Sequence, residues 1–311
     1  MKKQVICFLL VVLVAAGFIL PVLAIEPARN VETPVAVNAA MPPETSAEPE
    51  PQGFIFLDGI PQSVEYELRD GTTYITVSSF VAMAEPQAVV EEEDGVVTVS
   101  SARVEQAADA EGNTEDVVRE TLSMTVSVDI PYIVANGRYL YAKDSVTTVN
   151  GCVAAPVRTL AQVFNLEVGY DVAADAVLLS HVEGRSAYIQ PGDACYDSDA
   201  LFWLSRIIYA ESGNQSLDGK IAVGNVVMNR VNSPDFPDTI REVLFQKNQF
   251  STASALKKRT PNDESVVAAK LVMEGTEVLP TALFFNRKGQ SSFASRNRSY
   301  VTTIGGHDFY A

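Results

Sequence analysis

The sequence predicts an α+β chain of two domains, a small repeat-containing α+β domain followed by a mostly helical one. Three observations carry this reading. Between residues 53 and 182 short apolar runs alternate with Asp-Gly turns; the same stretch resembles itself after a shift of 80 positions; and from Asp197 onward the apolar period becomes helical. A chain of 311 residues can bury two cores of ordinary size.

The chain opens on Met1-Lys2-Lys3, an apolar run from Val5 to Leu23, and small residues at Val22-Leu23-Ala24. Residues 1–24 therefore read as a signal peptide, or as an N-terminal anchor, since the run is about as long as a membrane span. Both readings place the remainder outside the cytoplasm, and the second adds a membrane tether. Residues 25–52, rich in Ala, Pro, Glu and Val without any period, read as a disordered tether.

Net charge is -16 and unevenly spread: from Asp197 onward 13 Lys and Arg face 12 Asp and Glu, whereas the earlier residues hold 10 against 27. Such an acidic front half argues against nucleic acid, whose phosphates require clustered cations. The near-neutral rear half is compatible with an anionic wall polymer. Cys7 falls in the signal segment, so Cys152 and Cys195 leave one bridge at most. With only His181 and His307 in the chain, neither a metal site nor any other cofactor is expected.

Within residues 53–185, Phe54-Ile55-Phe56-Leu57, Thr73 to Val77 and Gly95 to Val99 read as strands, with turns at Asp58-Gly59, Asp70-Gly71 and Asp94-Gly95. The 80-residue shift lays Gly71-Thr-Thr-Tyr-Ile-Thr-Val over Gly151-Cys-Val-Ala-Ala-Pro-Val and Val97 over Val177. Each copy is a strand, a short helix (Ser78 to Ala84; Val157 to Phe164) and a hairpin. Neither holds enough apolar residues for its own core. On the Asn136-Gly137 and Asp58-Gly59 turns and the Ala155-Pro156-Val157-Arg158-Thr159-Leu160 stretch, this region resembles the N-terminal stalk domain of copper amine oxidases. The resemblance implies a spacer or adhesive role and brings no copper site, for which clustered His would be needed.

After a polar connector, Gln190 to Ala194, Asp197 and Ser198 offer N-caps to a helix whose apolar face is Leu201, Leu204, Ile207 and Ile208. Ser212-Gly213-Asn214 ends it just after Glu211. A carboxyl group there meets both desolvation and the negative end of a helix, the surroundings of a general acid. Ser216 then caps a helix that is apolar nearly all round, as a central helix should be. A short helix from about Asp238 to Phe245 leads to the loop Gln249-Phe250-Ser251. Thr260 with Asp263 signals a further helix that ends at Gly275, and the stretches Thr281 to Asn286 and Ile304 to Tyr310 close the chain.

Residues 196–311 resemble the SleB-type cell-wall hydrolases, the spore-cortex-lytic enzymes and their relatives. The resemblance rests on Tyr209-Ala210-Glu211, Asp218 to Val223, Met228-Asn229-Arg230-Val231, Phe236 to Ile240, Gln249-Phe250-Ser251, Ala282 to Asn286 and Ile304-Gly305-Gly306-His307, in that order. It implies a lysozyme-like fold that cuts the glycan strands of peptidoglycan between N-acetylmuramic acid and N-acetylglucosamine, with Glu211 as the catalytic carboxylate. Where family members commonly carry a second acid, this chain has Gln215, which favours a single-glutamate lytic transglycosylase route over ordinary two-carboxylate hydrolysis. Gln249 and Asn286 are candidates to bond the sugar amides. Tyr209 and Phe250 are candidates to stack on sugar rings. The rival readings are a muramidase, an N-acetylmuramoyl-L-alanine amidase, which would need zinc, and a non-catalytic wall-binding protein.

Overall fold

A computed structural model describes residues 54–108, 114–247, 249–250 and 252–311; the segments read as signal or anchor and as tether lie outside the described residues. Among the described residues no helix is long and apolar enough to cross a membrane.

The first half is one strand-and-helix unit written twice. The first copy runs β1 (Phe54–Leu57), β2 (Ile60–Gln62), β3 (Tyr66–Arg69), β4 (Thr72–Thr76), α1 (Val77–Ala84), β5 (Val89–Glu93) and β6 (Val96–Ala108). After β7 (Thr114–Ser127) the second copy runs β8 (Tyr132–Ala135), β9 (Arg138–Tyr141), β10 (Thr147–Val149), β11 (Cys152–Pro156), α2 (Val157–Val163), β12 (Glu167–Asp171) and β13 (Ala176–Ser180). Each copy thus also includes three strands ahead of the stretch that the 80-residue shift relates. Tight hairpins demand positive φ at both turn residues, and the two copies meet the demand alike: Asp70 and Gly71 stand at 48° and 78°, Asn150 and Gly151 at 51° and 84°.

The copies also complete each other's sheets. β4 and β11 pair antiparallel with Ile75 opposite Ala155, and β1 of the first copy joins β13 of the second in parallel, Ile55 beside Val177. In the other sheet, ordered β5-β6-β7-β8-β9, the extra strand β7 sits between the corresponding partners. One apolar core draws Ile55, Phe80 and Val97 from the first copy and Ile133, Leu160 and Leu179 from the second. Neither copy closes a core alone.

The second half runs α3 (Gly192–Cys195), α4 (Ser198–Ser212), α5 (Leu217–Val231), α6 (Ile240–Phe245), a 3-10 turn (Ala253–Lys258), α7 (Asp263–Met273), β14 (Phe284–Arg287), α8 (Phe293–Asn297), β15 (Tyr300–Ile304) and β16 (His307–Tyr310). Asp197 caps α4 by accepting from the Ala200 amide, and Ser216 caps α5. The cap of α7 is Asn262, which accepts from Ser265, and not the Thr260 that the sequence suggests. The helices α4, α5 and α7 share a core that includes Trp203, Leu204, Ile208, Val227 and Leu271. Beside them lies an antiparallel sheet ordered β14-β16-β15. Its short strands carry too few alternations to be told from buried coil in the sequence.

The two halves meet along β9 and α7. Arg138 grips Glu274 with two donors, Nε to Oε1 at 2.8 Å and Nη2 to Oε2 at 2.5 Å. The Tyr196 hydroxyl donates to Glu274 Oε1 at 2.7 Å and accepts from the Tyr139 amide at 3.0 Å. Tyr132, Tyr139 and Tyr141 lay their rings against the second core. The stretch read as a polar connector is docked here: the Gly192 amide donates to the Asn136 carbonyl at 2.8 Å. A Cβ on Gly192 would fall 2.6 Å from the Gly137 carbonyl oxygen, so only glycine allows the approach. Residues Gly53–Ala311 accordingly form one compact unit. Cys195 is an exposed free thiol and does not pair with Cys152.

Candidate active site

Glu211 lies in the last turn of α4, three, four and seven residues beyond Ile208, Ile207 and Leu204, and so continues the face that the helix buries in the core. Its neighbour Ser212 is fully buried and returns its hydroxyl to the Ile208 carbonyl at 2.7 Å, so the turn that presents Glu211 is fixed from beneath. The Glu211 side chain is half-buried. Its Oε1 accepts a hydrogen bond of 2.6 Å from the Thr252 hydroxyl. Thr252 precedes the 3-10 turn, one residue past the Gln249-Phe250-Ser251 loop, where a threonine reads only as a helix cap. Sequence reasoning therefore missed it.

His307 opens β16 within electrostatic reach of Glu211. Burial pulls its pKa below the usual 6.5, while the negative charges of Glu211 and Asp308 pull the other way and lose. The imidazole is thus neutral at pH 7. Its ring stands edge-on to Phe285 at 5.2 Å between centroids, and its Nδ1 is buried without a hydrogen-bond partner. Asp308 is the next residue of the strand, so it faces the other side of the sheet. There it accepts from the Thr303 hydroxyl at 2.5 Å and the Gly289 amide at 2.8 Å.

The hairpin that carries His307 is locked to the loop after Glu211. Gln215 Oε1 accepts from the Gly306 amide at 2.7 Å, and Gly305 adopts φ 55°, where a Cβ would lie 2.5 Å from that same oxygen. Behind the loop, the fully buried Lys220 bonds both the Gln215 carbonyl and Glu264 Oε2. Gln215, the departure from the family pattern, is therefore held in place by its amide and backbone together.

The other expected site residues are placed as follows. Tyr209 is half-buried one turn-fraction before Glu211 and packs against Gly213. Phe250 lies against Phe285 at 6.4 Å, and the Arg230 guanidinium sits 5.1 Å from its ring. Gln249 is exposed. Asn286 is half-buried, and its amide donates to the carbonyls of Arg287 and Gln290 and accepts from Ser292, so it braces the following loop. Asn229 and Arg230 join buried hydrogen-bond networks: Asn229 donates to the carbonyls of Leu279 and Ala282, and Arg230 Nε to that of Leu283 at 2.7 Å. Desolvation lowers the Arg230 pKa to about 10, so it remains a cation beneath the Phe250 loop.

A cavity of about 530 Å³ lined by Asp197, Met228, Val231 and Thr239 lies at the N-terminal end of α4, the opposite end from Glu211, and holds none of these residues. At Glu211, by contrast, the carboxylate accepts from the Thr252 hydroxyl and lies within electrostatic reach of the His307 imidazole.

Residues 214–310 match the Cell Wall Hydrolase family. Glu211 stands three residues ahead of the matched stretch. Among curated proteins, the chain is similar to the spore cortex-lytic enzyme of Oceanobacillus iheyensis, 29% identical over 116 residues, 37% of this chain and 42% of that protein. It is equally similar to the spore cortex-lytic enzyme of Bacillus cereus, 29% identical over 116 residues and 45% of that protein. The chain thus spans less than half the length of these relatives. Among solved structures it matches the catalytic domain of the germination-specific lytic transglycosylase SleB from Bacillus anthracis, at 26% identity and TM-score 0.35, over 40% of this chain and 100% of that one.

Proposed function

We propose that this protein cuts the glycan strands of peptidoglycan between N-acetylmuramic acid and N-acetylglucosamine, outside the cytoplasm, in remodelling of the cell wall or spore cortex. The names of its curated relatives support the substrate class. The observation that carries the mechanism is the single carboxylate Glu211 held by Thr252, with the neutral amide of Gln215 engaged four residues later.

One acid suffices for the lytic transglycosylase route. Glu211 delivers its proton to the glycosidic oxygen as the bond from C1 breaks, and the substrate's own N-acetyl oxygen shields the positive charge left at C1. The resulting carboxylate takes the proton of the C6 hydroxyl, whose oxygen closes on C1 as a 1,6-anhydro ring. Glu211 is regenerated and no water is consumed. Thr252 keeps the carboxylate in one orientation through both proton transfers. Tyr209, Phe250, Gln249 and Asn286 remain the proposed sugar contacts, the last through the loop it braces. Residues 53–185 serve as a stalk that presents the enzyme to the wall.

Digestion of purified sacculi by the full chain, followed by mass spectrometry, tests this reading. It predicts glycan fragments ending in anhydro-muramic acid, lighter by one water than reducing ends. Reducing ends alone would overturn the transglycosylase step, and release of free peptides would point instead to an amidase.

A further inference from the structure

The segment from residue 287 to 298, Arg-Lys-Gly-Gln-Ser-Ser-Phe-Ala-Ser-Arg-Asn-Arg, holds four cations and no carboxylate, whereas the rest of the chain from Asp197 onward holds 9 basic against 12 acidic residues. Arg287, Lys288, Arg296 and Arg298 are all exposed, and among the described residues none forms a salt bridge. Their side-chain contacts are with neutral groups: Arg296 donates to the Ser291 hydroxyl at 2.9 Å, and Arg298 lies 4.7 Å over the Phe284 ring. Asp308, the acid that feels the charge of Lys288, is already engaged by Thr303 and Gly289. Between the cations the Phe293 ring is 60% exposed.

This surface is built. Asn286 ties down both sides of the loop, and a reciprocal Ser292–Ser295 capping box starts α8. It also begins at the rim of the Glu211 site. The Lys288 amide donates to the Gly306 carbonyl at 2.9 Å, Gly306 donates to Gln215, and Arg287 pairs with His307 across the strands.

We propose that this basic segment recognises the carboxylates of the stem peptides on the glycan strand. The inference rests on the reading of the protein as a peptidoglycan-cleaving enzyme, since the muramic acid beside the scissile bond is the sugar that carries a stem. Exposed cations attract such carboxylates weakly one at a time and are screened by salt, so several must act together.

The test uses the full chain and the combined variant Lys288→Ala, Arg296→Ala, Arg298→Ala. The substrates are sacculi freed of secondary polymers by acid, either native or with stem carboxylates converted to amides. On native sacculi the variant should bind roughly 5- to 20-fold more weakly by cosedimentation at low salt, the sum of a few surface ion pairs. Amidation should weaken the wild type by a similar factor and leave the variant unchanged. Equal sensitivity of both proteins to amidation would overturn the proposal, as would equal binding of native sacculi. Because cosedimentation needs no cleavage, absence of glycan fragments in the same tubes would refute the catalytic reading separately.

Discussion

The Thr252 hydroxyl donates to Oε1 of Glu211 over 2.6 Å, joining the end of a core helix to a loop 41 residues away. A hydrogen bond to a charged group is worth about 1.5 to 3 kcal/mol, and here it fixes the acid's orientation. Thr252→Val should therefore slow cleavage of sacculi by roughly 10-fold or more. Thr252→Ser, which keeps the hydroxyl, should recover most of the rate. Turbidity loss under identical conditions compares the three proteins, and equal rates for Val and wild type would show that the bond has no role in turnover.

His307 gives the enzyme an acid-sensitive element. Its folded pKa lies below the value of about 6.5 expected for the unfolded chain. On acidification the unfolded state takes the proton first, so the contribution of neutral His307 to stability is complete above pH 6.5 and is lost as pH falls through the folded value. His307→Gln should flatten the fall in melting temperature below pH 6.5. A slope unchanged by the substitution would assign acid sensitivity to other groups.

Gly305 holds the hairpin against the loop that follows Glu211. A Cβ there would stand 2.5 Å from Gln215 Oε1 on a backbone at φ 55°. Gly305→Ala should cost about 1 to 3 kcal/mol, from the left-handed backbone and the displaced Gln215. It should lower activity beyond what the lost folded fraction explains. Denaturant titration alongside turnover separates the two effects.

The Arg138–Glu274 pair couples the two halves of the chain, with the Glu274 side chain only 8% exposed. Removing one partner strands a largely buried charge, so Arg138→Ala should destabilise by about 2 kcal/mol or more. A double-mutant cycle with Glu274→Gln should return a clear coupling energy. The docked connector around Gly192 should likewise resist proteases in the wild type and become cleavable in Arg138→Ala.

Much of this was legible in the sequence because it is local. Asp-Gly and Asn-Gly pairs specify their own hairpins, so the turns at Asp58, Asp70, Asp94 and Asn136 are readable residue by residue. Asp197 and Ser216 likewise announce their helices, and the apolar face ahead of Glu211 marks that carboxylate. What was hidden depends on distant segments. Thr252 looks like an ordinary helix-start residue until folding brings it to Glu211. Gln190 to Ala194 is polar in composition, yet it docks because Gly137 and Gly192 meet without side chains. Nothing in the sequence around His307 signals the distant carboxylate whose charge it feels.

The central claim is that Glu211 moves both protons of the reaction, and the rate of Glu211→Gln on purified sacculi tests it most directly. Glutamine keeps the shape and can still accept from Thr252, so circular dichroism and melting temperature should match the wild type. The rate of glycan cleavage should fall by at least roughly 100-fold, the scale of a single acid/base role. A folded Glu211→Gln protein that cleaves sacculi at near-normal rate would contradict the account.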